Sequence, residues 1–127
     1  GVAVGFWFNA GLGSSDHVNV NNDGTINLVE GSTDVGVSRT SLSMQAAEVL
    51  GIPVQDVNPS VADTDSVGYT AVTGGSRVTF ATGTAVYRAA QDVKQQMTER
   101  AALLWDVNHE SVEMEKGIVT STADKGA

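Results

Sequence analysis

Two stretches of this chain place glycine, serine and arginine directly ahead of a helical pattern. The first reads TAVTGGSRVTFATG over residues 70–83, and the second reads GSTDVGVSRTS over residues 31–41. A helix start leaves its first N–H groups unpaired and carries a partial positive charge. Glycines beside it allow the backbone to form a concavity that a phosphate oxygen can enter. Gly74, Gly75, Ser76 and Arg77 are therefore candidate anion-binding residues, with a hydroxyl from Ser76 and a charged fork from Arg77. Gly36 and Ser38, with Gly31, Arg39 and Thr40, make a second such mouth. If the two converge, they grip one extended anion such as a pyrophosphate. The plainer alternative, a turn followed by an N-cap, stays open for each.

Asp63 and Asp65 flank Thr64 in a segment expected to be extended, which puts both carboxylates on one side. Two carboxylates alone fall short of the oxygen set that Ca²⁺ or Mg²⁺ requires, and the EF-hand spacing is absent. Hydrogen bonds from a ribose or an amino-bearing base edge, or a turn-capping pair, are the other readings. His17 and His109 stand beside no nucleophile signature, no Ser-His-Asp order with an elbow motif occurs, and Glu113 and Glu115 alternate on an expected strand as a solvated face. No catalytic residue and no metal site is expected.

The elements that must hold these residues follow from periodicity. Val2, Val4, Phe6 and Phe8 alternate with Gly1, Ala3, Gly5 and Trp7, which predicts a strand covered on both faces. Val18 and Val20, then Ile26 and Leu28, alternate around Asn22-Asp23-Gly24 and predict a β-hairpin. Leu42, Ala46, Val49 and Leu50 fall on one stripe between Ser38, placed to cap, and Gly51, placed to stop, which predicts a helix over 38–50. Pro53 and Pro59 block helix and leave a short extended segment at 57–61. Val78, Ala81, Ala85, Val86, Ala89, Val93 and Met97 trace a second helix to about Arg100, with 101–105 as its extension. Gly83 inside it implies a close neighbouring backbone. Two short strands around Lys116-Gly117 precede a small polar tail. The expectation is a single α+β domain over 1–127, a two-layer mixed β-sheet built from the N-terminal strand, the hairpin, 57–61 and the tail, with the two main helices packed on one face.

Composition narrows the partners. Fifteen acids against seven bases give a formal charge of −8, which disfavours nucleic acid and other polyanions, while a single phosphate held by backbone amides is unaffected by net charge. The chain has no cysteine, which excludes disulfides, thiolate metal sites and a cysteine nucleophile. No apolar run approaches a membrane span, so a soluble protein is expected, in the cytoplasm or else the periplasm. The chain begins Gly-Val-Ala-Val-Gly without Met or a basic leader and reads as a piece cut from a longer one.

From Gly1 to about Ala102 the order of motifs resembles the molybdenum-cofactor-binding large subunit of the xanthine dehydrogenase, aldehyde oxidase and carbon monoxide dehydrogenase family. The carriers are the DG hairpin, the glycine-rich lead into QAAEVLGI, DTD, and GGSR followed by G-x-AV and an alanine pair. The resemblance implies a molybdopterin cofactor, in many bacterial members its cytosine dinucleotide form. It implies that Gly74, Gly75, Ser76, Arg77 and Thr79 surround the dinucleotide, with Asp63, Thr64 and Asp65 nearby. Where the family often has Gly-Gln-Gly this chain has Gly36, Val37 and Ser38, so contact there is by backbone or absent. No residue matches the family's catalytic glutamate. The implied whole is an oxidoreductase acting on an aldehyde or heterocycle, with the rest of the large subunit and iron–sulfur and flavin subunits as partners, while the 127-residue piece binds without turning over and self-associates through uncovered apolar surface. The alternatives are a structural or oligomerisation module and a stand-alone nucleotide-phosphate-binding domain.

Overall fold

The computed structural model describes residues 1–61 and 63–123; Ala62, ahead of the Asp63 pair, and the closing small polar residues 124–127 lie outside them. Strand β1 (Asp16–Val20) runs antiparallel to β2 (Ile26–Glu30) through the Asn22-Asp23-Gly24 turn. Gly24 takes φ +87°, and the Asp23 carboxylate accepts from the Thr25 N–H and hydroxyl at 3.0 and 2.7 Å, so the turn closes with local bonds. Helix α1 (Ser38–Leu50) then carries the chain across to β3 (Val57–Val61), which lies parallel to β2 and completes a mixed sheet of order β1-β2-β3. A wide π-helical turn over Val78–Thr82 opens the long helix α2 (Gly83–Trp105). Strands β4 (Val112–Glu115) and β5 (Ile118–Ser121) form a hairpin around Lys116-Gly117.

Helix α1 packs on β3, α2 packs on β1, and the helices pack on each other. Both therefore lie on one face, and the expected two-layer α+β arrangement is the one observed. The core between the layers is built from Val18, Ile26 and Leu28, from Leu42, Ala46 and Leu50, and from Val86 and Ala90, with Met114 entering from β4. Apolar residues spaced by two on the strands and by three or four on the helices reach it for the reason read in the sequence.

Three expectations are corrected. No strand forms over Gly1–Phe8: none of the described strands pairs with it, and Val2 and Phe6 are 97% and 91% exposed. Alternation makes a segment suited to a sheet, but a strand exists only with a neighbour to take its N–H and C=O groups. The tail strands form their own two-stranded sheet against α2 and do not extend the main one. Gly83 meets the Gln45 side-chain amide, not a backbone, and that amide donates to the Thr79 carbonyl at 3.3 Å. No described helix is long and apolar enough to cross a membrane.

Candidate functional site

The two helix mouths converge. The hydroxyls of Thr33 and Thr73 bond at 3.2 Å, and Val35 from the first loop lines a cleft of about 390 Å³ with Thr73, Gly74, Ser76, Val78 and Thr79 of the second, Arg77 forming its back. Gly75 and Ser76 both have positive φ, +62° and +52°. A Cβ on Gly75 would stand 2.6 Å from that of Ala10, so glycine is required there for the close approach as well as the conformation. The carbonyls of this turn face inward: Gly75 accepts from the Ala10 N–H at 3.0 Å and Ser76 from the Asn9 amide at 2.9 Å. Among the described residues, the N–H groups of Gly74, Gly75, Ser76, Arg77, Val78 and Thr79 have no protein acceptor. The local backbone thus commits two carbonyls to residues 9–10 and leaves a run of N–H groups unpartnered, as an anion site needs.

Arg77 does not provide the charged fork read from the sequence. It is 0% exposed, and its guanidinium donates to the carbonyls of Gly11 (2.6 Å), Gly13 (2.7 Å), Ala71 (3.0 Å) and Val72 (3.5 Å) and to the Ser14 hydroxyl (2.6 Å). Ser14 in turn bonds the buried Thr82 hydroxyl at 3.1 Å. Arg77 therefore pins residues 11–14 against residues 71–77 and shapes the mouth of α2. Its acceptors are all neutral, and it makes no ion pair among the described residues. Its guanidinium is buried beside the cleft, in surroundings where screening is weak.

The first mouth is also built differently. Val37 (φ +63°) takes the cap position of α1, and the Ser38 hydroxyl, buried, donates to Asp34 at 3.1 Å instead of capping. The cap is Asp34, four residues before Ser38, whose carboxylate accepts from the Arg39 N–H at 3.2 Å and from the Arg39 side chain at 2.7 Å. These bonds, the backbone one foremost, hold its carboxyl below the usual carboxylate range. Arg39 is thus spent on Asp34, and Gly36 (φ +64°) shapes the loop without lining the cleft. Asp63, Thr64 and Asp65 are exposed and do not line it either. Asp63 accepts from the Asp65 N–H and, through its carbonyl, from the Ser66 N–H, each at 3.0 Å. The segment is a turn, not the extended stretch expected, and the turn-capping alternative describes it.

One polar group was missed from sequence. Glu30 is 0% exposed and Asp16 is partly buried. Burial pushes the Glu30 carboxyl up to about 7, with Asp16 and Asp34 adding to the rise, and pushes Asp16 up to about 6 against a hydrogen bond from the Gly31 N–H. The signal was present in parity: Glu30 is in phase with Ile26 and Leu28, and Asp16 with Val18.

Comparison with known proteins gives the family of the chain. The model of the molybdopterin cofactor-binding domain matches residues 1–127. The chain belongs to that family. It is 34% identical over 87 residues to the putative xanthine dehydrogenase molybdenum-binding subunit of Escherichia coli, covering 67% of this chain and 12% of that one. It is 28% identical over 104 residues to the nicotine 6-hydroxylase large subunit of Paenarthrobacter nicotinovorans, covering 81% and 13%. In structure it matches the Cu,Mo-CO dehydrogenase in its carbon monoxide reduced state with a TM-score of 0.78 at 25% identity, over 87% of this chain and 14% of that one. It also shares the fold of quinoline 2-oxidoreductase from Pseudomonas putida, with a TM-score of 0.74 at 24% identity over 87% and 14%. The chain thus spans 12–14% of the length of these relatives.

Proposed function

We propose that the helix-mouth cleft of this cofactor-binding domain receives the phosphate or pyrophosphate of the molybdopterin cofactor, in its cytosine dinucleotide form. The observation that carries this reading is the row of unpartnered N–H groups from Gly74 to Thr79 on a cleft of about 390 Å³. Such a row fits an anion and nothing apolar. Gly74, Ser76, Val78 and Thr79 would hold the phosphate by backbone, the Ser76 and Thr79 hydroxyls would supplement them, and Arg77 would act through its charge and by fixing the turn. The molybdenum centre, when bound, supplies the redox chemistry; this chain holds and orients. Asp63, Thr64 and Asp65 reach a nucleotide only if further protein brings it to them.

The larger protein would hydroxylate or oxidise an aldehyde or a heterocycle, with the rest of a large subunit and with iron–sulfur and flavin partners, in the cytoplasm or periplasm. The exposed Gly1–Phe8 stretch, whose Trp7 and Phe8 rings stack 5.8 Å apart, favours cover by further protein. The 127-residue chain alone therefore turns over no substrate. The test is calorimetry with cytidine diphosphate against cytidine. The diphosphate binds and cytidine does not, and Thr73→Asp, which puts a carboxylate on the cleft wall, weakens binding by about tenfold or more. Equal behaviour of the two ligands would sink the phosphate reading.

A further inference from the structure

Asp16 and Glu30 stand directly opposite one another in the β1–β2 ladder, and their in-phase neighbours show that both face the helix layer. Residues so opposed bring their Cβ atoms to about 5 Å. Two ionised carboxylates at that spacing, out of water, repel strongly enough that one is held as the acid. The Gly31 N–H donates to Asp16 Oδ1 at 3.1 Å. Asp16 Oδ2 and both Glu30 oxygens are buried without a partner, as are the hydroxyls of Ser32 and Ser43.

Among the described residues no cation forms an ion pair with either carboxylate, and Arg39 offsets only part of the rise at Glu30. Arg39, at the start of α1, is bonded to Asp34, and Asp34 adds negative charge. From α2, Arg88 shares one cleft with Asp16, and Asp92 and Arg100 share another, yet none pairs with Asp16 among the described residues. His17 lies on the opposite face of β1, and β3 contributes no titratable residue.

We propose that the Asp16–Glu30 pair is a proton-binding site that holds one proton at neutral pH and thereby fastens residues 31–37, the strap that walls the helix-mouth cleft. The strap is tied at Gly31 to Asp16, at Thr33 to Thr73 and at Asp34 to the start of α1, and Val35 lines the cleft. Losing the proton to solvent leaves two facing carboxylates with unsatisfied oxygens. Their charge is relieved only by admitting water or by parting β1 from the end of β2, and either movement draws on Gly31. The consequence for cofactor binding rests on the reading of the cleft given above, but the proton site does not.

The experiment uses the 127-residue chain without ligand, so that failure here and failure of the phosphate reading are distinguishable. Amide hydrogen exchange at Gly31 and Arg39, corrected for intrinsic rates, is compared at about pH 5.5 and 8.5 in the native chain, Glu30→Gln and Asp16→Asn. Protection in the native chain should fall about tenfold or more at the higher pH while the Ala46–Leu50 amides hold, and Glu30→Gln should remove the pH dependence. Carbon NMR titration of the native Glu30 carboxyl, which needs no variant to fold, should show a midpoint above about pH 6. A Glu30 midpoint below about pH 5, protection equal at both pH values, or an unaltered pH dependence in a folded Glu30→Gln would overturn the proposal.

Discussion

Arg77 and Glu30 are both fully buried, and they differ in what surrounds them: the guanidinium is saturated with acceptors while the carboxylate has no donor. Removing Arg77 would strand four carbonyls and the Ser14 hydroxyl inside the fold. Arg77→Ala should therefore lose about 3 kcal/mol or more in urea unfolding, and Arg77→Lys should recover only part, because one ammonium cannot reach a planar fan of acceptors. For Glu30 and Asp16 the sign is opposite to that of an ion-paired acid. Their carboxyls sit at about 7 and 6 in the native state against ordinary values of 4.5 and 3.8, so the native chain keeps protons that the unfolded chain releases. Their contribution is whole below about pH 4 and is lost as pH rises through 6 and 7. Unfolding free energy should drop by about 3 kcal/mol between pH 5 and pH 8, the coupled pair counted once, and Glu30→Gln should flatten that slope.

Among the elements, those closed by local chemistry were legible in the sequence. Asn22-Asp23-Gly24 fixes its own turn, Gly51 stops α1 with φ +70°, and the apolar stripe of α2 carries its own period. What failed depends on partners that residue type and period do not name, distant for Gly1–Phe8 and Arg77 and local for the α1 cap. Gly1–Phe8 alternates like a strand, yet alternation cannot say which strand lies beside it. Ser38 has the right type and position for a cap, yet Val37 adopts the left-handed conformation and Asp34 folds back to do the work. Arg77 reads as a ligand because sequence does not tell whether a guanidinium faces solvent or four carbonyls of its own chain. Gly51 also seats the β4–β5 turn against the end of α1: a Cβ there would sit 2.8 Å from the backbone N and Cα of Lys116. Gly51→Ala should lose about 2 kcal/mol in thermal or urea unfolding, from the positive φ together with the clash against the β4–β5 turn. A loss well under 1 kcal/mol would mean that this turn moves freely off α1.

For the molecule as a whole, the mixed sheet and its two helices bring two glycine-rich loops, forty residues apart in sequence, to one cleft at the helix starts. Net charge of −8 would repel a phosphate approaching elsewhere, so the turned backbone and the buried cation behind it must supply the attraction locally. The apolar Gly1–Phe8 stretch and the exposed Leu103, Leu104 and Trp105 at the far end of α2 leave surface suited to further protein. The isolated chain should sediment with a mass that grows with concentration, and removal of residues 1–8 should reduce that growth. The account turns most directly on the amides of the α2 mouth, which two-dimensional NMR reads one at a time during titration with cytidine diphosphate. The account predicts that Gly74, Gly75, Ser76, Val78 and Thr79 move together and saturate while the amides of β4 and β5 stay still; shifts absent from that row, or confined to the Asp63 turn, would contradict it.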